Sequence, residues 1–425
     1  MKVEGKNVVL VVADTLTALH LPTYGYDRET APFLTELAEK NMFFENAYSN
    51  APWTVPSHAS LFSGKLPSEH GMGTSEMIFE DQTFVEELSK NAYKTTGISA
   101  NSLVSEDLNF DRGFDSFHEV FSFDTEETTT FWKVALRKLK SPDLETIKKG
   151  SKFLYNKLTG TSNRGAENIE KIAKKEVTSE NQPNFLFINY TEPHLPYNPP
   201  EEYAEKFTEN SSEKISRHME DHYNSEKPEI FHKGFPNCTD QELIDLYDAE
   251  IRYLDNKLES LYKYLNEELD NLVFIVTSDH GENFGEHGAY FHQCGIWEKS
   301  VRVPMIIAGN EVPDKKKEKP YPLRNLKHLI LDNEVNTSET VFAEYQGWNK
   351  MSELNQETEL KVENKEKRFA YNQSKAAIQK DKALVKNTQL KDFQFTPDQK
   401  CYSQQKQCFE KQEDLETKID LIIGQ

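Results

Sequence analysis

Residues 7–15 read NVVLVVADT, a run that is apolar without interruption from Val8 to Ala13 and ends on the carboxylate of Asp14. A half-exposed strand alternates apolar and polar residues, whereas this one does not, so it predicts a strand buried on both faces, as in parallel sheets. The C-terminal tip of such a strand is where α/β proteins place their chemistry. Two later stretches repeat the pattern: FLFIN at 185–189, and LVFIVTSDHG at 272–281, which carries Asp279 and His280 past its end. Helical patterns lie between them, among them LIDLYDAEIRYLDNKLESLYKYLNEEL at 243–269. Strand and helix alternate over the first 330 residues or so, which predicts an α/β fold with a mostly parallel sheet flanked by helices.

One further stretch belongs at that sheet edge. APWTVPSHASLFSG, residues 51–64, reads as a loop entering a helix, with Pro56 in a first turn and Ser57 and Ser60 able to satisfy free N–H groups. Thr54 stands at the helix mouth, where free N–H groups and the helix dipole favour negative charge. A hydroxyl there is a weak nucleophile until a base or a metal activates it.

Composition bounds the rest. With 425 residues and 36% hydrophobic content the chain can bury a full core. A formal net charge of −21 argues against a general nucleic-acid partner. No segment approaches the ~20 apolar residues of a membrane helix, and the N-terminal apolar run is too short for a signal peptide, so a cytoplasmic location is expected. The four cysteines lack metal-binding spacing and read as reduced thiols.

The organisation expected is a catalytic domain over 1–332 and a small α+β subdomain over 333–425. Lys-rich helical patterns such as FWKVALRKLK mark a helical insertion at about 121–182, and a second excursion covers 201–240. In the C-terminal part TVFAEY, RFAYN and KDFQF read as short strands, and AIQKDKALV as a hairpin turning at Lys380 and Asp381.

Asp14, Asp279, His280 and Thr54 all fall at one predicted sheet edge. Singly each has a plainer reading as a turn former or helix start. Together they make a site for a divalent cation that could ionise a hydroxyl. Carboxylate, imidazole and alkoxide donors favour Zn or Mn, with Ca or Mg left open. His194, in a Pro-flanked loop directly after a buried strand, and Asn101, directly after the strand TTGISA, are candidate functional residues.

These motifs resemble the sulfatases of the alkaline phosphatase superfamily. VVLVVADTLTALHLPTYGYDRETAPFLTELA is similar to that family's opening strand, APWTVPSHASLFSGKLPSEHG to its nucleophile signature, and TSDHGENFGEHG with WEKSVRVPMIIAG to its metal-binding block. FLFINYTEPHLPYNPP and YDAEIRYLDNKL match signatures between them. The resemblance implies metal ligation by Asp14, Thr54, Asp279 and His280, nucleophilic attack by Thr54, and substrate or leaving-group contacts by His194 and His292. His58 falls where the signature carries Arg, as a candidate substrate contact alongside Asn101, and Thr15 falls where the family carries a second Asp.

The resemblance also implies what this chain should lack. Sulfatases oxidise a Cys or Ser to formylglycine; Thr54 cannot become an aldehyde, since its Cβ carries a methyl. The expected activity is metal-dependent cleavage of a phosphate mono- or diester or a sulfate ester, on a small-molecule or glycan substrate, without formylglycine. Two other readings remain: a transferase moving a phospho-alcohol group onto a glycan or lipid head group, and a degenerate binding protein.

Overall fold

The structure is a computed structural model describing residues 3–73, 77–120, 165–177, 182–210, 212–225, 234–286, 289–292, 295–346, 374–379, 382–387 and 393–395. The FWKVALRKLK pattern, RFAYN and three of the cysteines lie outside these residues.

An eight-stranded sheet runs through the centre. Its order is Lys315–Lys317, Met42–Phe44, Met305–Ala308, Leu272–Ser278, Asn7–Ala13, Asn184–Tyr190, Lys94–Ser99, Ser116–Glu119. Only Met305–Ala308 runs against its neighbours; the other pairings are parallel. The three apolar runs are the three central strands, and nearly all of their side chains are fully buried. The sequence pattern required this, because a strand without polar alternation must be covered on both faces.

The coverage is helical on each side. Phe185 and Phe187 point to one face, against Phe84 and Phe62 of the helices Phe84–Lys90 and Thr54–Ser63. Leu186 points the other way, level with Val9 and Phe274, and there Phe274 meets Tyr262 of the long helix Asp240–Glu268. That helix starts at Thr239, whose hydroxyl accepts from Glu242 N–H while the Glu242 carboxylate accepts from Thr239 N–H.

Two sequence expectations change in detail. MFFENAYS forms two strands, since Glu45 and Asn46 break it; Ala47–Tyr48 leaves the main sheet to join Arg302–Val303 and Tyr321–Pro322. SVRVPMIIAG is likewise divided at Pro304, which has no N–H for a ladder. Of the two insertions, the described parts hold the helices Ala166–Glu176, Glu201–Ala204 and Ser212–Ser225. No helix among the described residues is long and apolar enough to cross a membrane.

Val341–Tyr345, Ser374–Gln379, Lys382–Asn387 and Phe393–Phe395 form a separate antiparallel sheet in that order, with Gln379 paired to Lys382 as the hairpin reading required. Its first strand docks beside the loop that leads to Thr54: Glu344 N–H donates to Asn50 O at 2.9 Å, and the Asn50 amide donates to Phe342 O at 2.7 Å.

Candidate active site

Ala13 and Ser278 are paired in register on adjacent parallel strands, so Asp14 and Asp279 leave the sheet side by side. Thr54 is the first residue of the helix Thr54–Ser63 and faces them. Carboxylate and imidazole atoms of Asp14, Asp279 and His280 lie within 4.8 Å of one another. His280 Nε2 is 3.3 Å from Thr54 Oγ1, 3.4 Å from Asp279 Oδ2 and 3.5 Å from Asp14 Oδ1. The four residues expected to meet do meet, and all four are buried.

Each is held by its surroundings. Asn101 donates its amide N–H to Asp14 Oδ2. The backbone N–H groups of His280 and Thr15 donate to Asp279 Oδ1 at 2.9 and 3.3 Å. Asp279 Oδ2 accepts no hydrogen bond although it is buried. The His280 Nδ1–H donates to Gly281 O at 3.0 Å, which leaves the Nε2 lone pair turned toward the cluster. Gly281 is itself required by packing, since a Cβ there would lie 1.9 Å from the Lys299 carbonyl oxygen. Thr15 has φ of 61°, a costly left-handed conformation for a β-branched residue. Tyr247 anchors that turn, its O–H donating to Thr15 O at 2.7 Å and accepting from Thr17 N–H at 2.9 Å.

Electrostatics mark the cluster as incomplete by itself. Burial, only partly offset by His58 and by backbone N–H donors, raises the Asp279 carboxyl to about 6. Burial lowers His280 to about 3, with His292 adding to the effect. Two adjacent buried carboxylates, one with an unbonded oxygen, and an imidazole lone pair are the donor set of a cation site. The separations fit as well: a tetrahedron with ~2.1 Å bonds has edges of ~3.4 Å. An octahedral oxygen cage at ~2.4 Å gives the same edge, so the separations fit either kind of site.

His58 and Asn101 sit differently from expectation. His58 is fully buried in the helix behind Thr54, flanked by Phe110 and Phe187. Its Nδ1–H donates to Thr54 O at 3.0 Å, and Nε2 accepts from the Asn189 amide at 2.8 Å. Both ring nitrogens serve protein groups, so His58 supports Thr54 from within and presents neither nitrogen to a substrate. Burial lowers its pKa, with Asp279, whose Oδ2 lies 3.5 Å from Nδ1, acting in the opposite direction. Asn101 binds Asp14, a cluster residue, through its amide.

His194 and His292 lie together beside the cluster. The His292 ring lies 4.8 Å, centroid to centroid, from both His280 and His194. Two residues that sequence reasoning passed over complete this side. Glu282 Oε1 is 3.0 Å from His292 Nδ1, and Tyr197 O–H donates to Glu282 Oε2 at 3.1 Å. Both are fully buried. Their only sequence signal was position, two residues past His280 and three past His194.

A family model described as Sulfatase matches residues 6–333. The chain belongs to the sulfatase family. Among curated relatives this sulfatase-family chain is 23% identical over 334 residues to choline-sulfatase of Rhizobium meliloti, a match covering 71% of this chain and 62% of that protein. It is 25% identical over 366 residues to an arylsulfatase of Clostridium perfringens, covering 77% and 74%. The chain thus matches under two thirds of the choline-sulfatase length. Among solved structures, phosphonate monoester hydrolase of Agrobacterium radiobacter superposes with a TM-score of 0.64 at 16% identity, over 92% of this chain and 89% of that one. That likeness places the sulfatase-family chain in the same fold.

Proposed function

We propose that this protein is a metal-dependent hydrolase that cleaves a phosphate mono- or diester through Thr54, on a small-molecule or glycan substrate. The observation that carries the proposal is Thr54 Oγ1 at 3.3 Å from His280 Nε2 inside the Asp14, Asp279 and His280 cluster.

A divalent cation held by Asp14, Asp279, His280 and Thr54 would supply positive charge favouring an ionised hydroxyl and neutralising a bound phosphoryl group. The chain's own residues supply the rest. Thr54 Oγ1, its proton lost to solvent, attacks phosphorus; a P–O bond to Thr54 forms as the P–O bond to the alcohol breaks. The departing oxygen takes its proton from a water that His292 or His194 orients. Water then attacks phosphorus and returns Thr54 as the free hydroxyl. Asn101 and the backbone of Thr15 hold the two carboxylates in place throughout.

Phosphate is favoured over sulfate by the chemistry of Thr54. A formylglycine hydrate expels sulfate by collapsing to an aldehyde, and a threonine ester has no such exit. Sulfate-ester turnover is the second reading, supported by the names of the relatives. The test is chelation, reloading with Zn, Mn, Ca or Mg, and parallel assays of nitrophenyl phosphate, phosphodiester and sulfate esters. Phosphate turnover well above sulfate turnover is expected; the reverse order would overturn the phosphate assignment.

A further inference from the structure

Glu282 joins three separate pieces of the site. Its own chain leads back two residues to His280. One carboxyl oxygen pairs with His292 Nδ1 at 3.0 Å, and the other accepts from Tyr197 at 3.1 Å, in the loop that carries His194. Both oxygens are engaged in this way, and Glu282 is not among the grouped ligand residues Asp14, Asp279 and His280.

An apolar residue would fill this buried place without the desolvation that a carboxyl incurs. The geometry therefore points to a role for the carboxyl in what it holds. A histidine has two nitrogens that can meet a substrate, and fixing one selects the other. We propose that Glu282 is a positioning residue: it holds His292 through Nδ1, turns Nε2 away from itself toward the reacting groups, and through Tyr197 keeps the His194 loop in step. The His292 ring, tilted by 45° to His280 and by 53° to His194, is then set in orientation as well as in place.

This inference rests on the esterase reading above, and its test separates the two. Glu282→Ala, Glu282→Gln and Tyr197→Phe would be compared with wild type for metal content, for kcat and KM on nitrophenyl phosphate, and for the histidine ring signals by 15N NMR with inorganic phosphate titrated in. Glu282→Ala should lose ~10–100-fold in kcat with metal content and KM near wild type. Glu282→Gln, which retains hydrogen-bonding atoms at both positions, should recover part of the loss. The downfield proton signal of the His292 Nδ1 hydrogen bond should persist in Tyr197→Phe and vanish in Glu282→Ala. Unchanged kcat and an unchanged ring signal in Glu282→Ala would overturn the proposal, as would a fall in metal content that accounts for the whole loss of activity. Should Glu282→Ala fail to fold, the near-isosteric Glu282→Gln carries the same comparison. If wild type turns over no ester, the esterase reading fails, and the NMR comparison still decides whether Glu282 sets the His292 ring.

Discussion

Asp279 Oδ2 lies 3.4 Å from His280 Nε2 and accepts no hydrogen bond, while Asp279 Oδ1 receives two backbone N–H groups. One carboxylate oxygen is anchored and the other is directed, unbonded, into the cluster. This arrangement costs stability, and the cost has a definite pH dependence. Burial raises Asp279 from 3.8 to about 6 in the folded chain. The fold therefore holds this proton more tightly than the unfolded chain, and the associated stability is complete below about 3.8 and lost as pH rises through about 6.

Asp279→Asn should thus stabilise the metal-free protein at pH 8, by on the order of 1–3 kcal/mol, with the gain shrinking toward pH 4. The same change should remove the stabilisation that added Zn or Mn gives wild type. Thermal melts with and without chelator at pH 5 and pH 8 read both effects. A variant less stable than metal-free wild type at pH 8 would contradict the account.

Gly281→Ala should move the loop that carries His280, because its new methyl would sit 1.9 Å from the Lys299 carbonyl oxygen. Neither backbone can give without shifting the cluster. Stability should fall by ~1–3 kcal/mol and metal affinity should fall with it. Chemical denaturation and metal titration measure the two; wild-type metal affinity would show that the contact is relieved elsewhere.

His58→Phe keeps a ring between Phe110 and Phe187 but removes the hydrogen bonds to Thr54 O and to the Asn189 amide. Leaving those buried groups unpaired should cost ~1–3 kcal/mol. Because His58 supports Thr54 from behind, kcat should drop while KM stays close to wild type. A large rise in KM with kcat preserved would return His58 to the substrate side.

The fold and the Asp14, Asp279 and His280 cluster were legible in the sequence for one physical reason. Strands such as VVLVVA and LVFIVTS admit only a doubly covered environment, and their tips then define the edge where Asp14, Asp279 and His280 must sit. The identity of a strand tip needs no knowledge of side-chain direction. His58 and Asn101 did need it: helix position alone does not tell whether an imidazole turns toward substrate or toward a neighbouring strand, and here Asn189 of that strand captures it. Glu282 and Tyr197 were hidden for a related reason. A glutamate in a loop reads as solvated, and only the fold brings a tyrosine 85 residues away to its other oxygen.

In the proposed reaction Thr54 carries the phosphoryl group. Rapid acid quench during turnover of a nitrophenyl phosphate ester by metal-loaded enzyme, followed by peptide mass spectrometry, tests it most directly. A phosphoryl adduct is expected on Thr54 of wild type, with Thr54→Ser active and labelled at the same position and Thr54→Ala inactive. Turnover by Thr54→Ala at the wild-type rate, with no adduct on Thr54 of wild type, would contradict it.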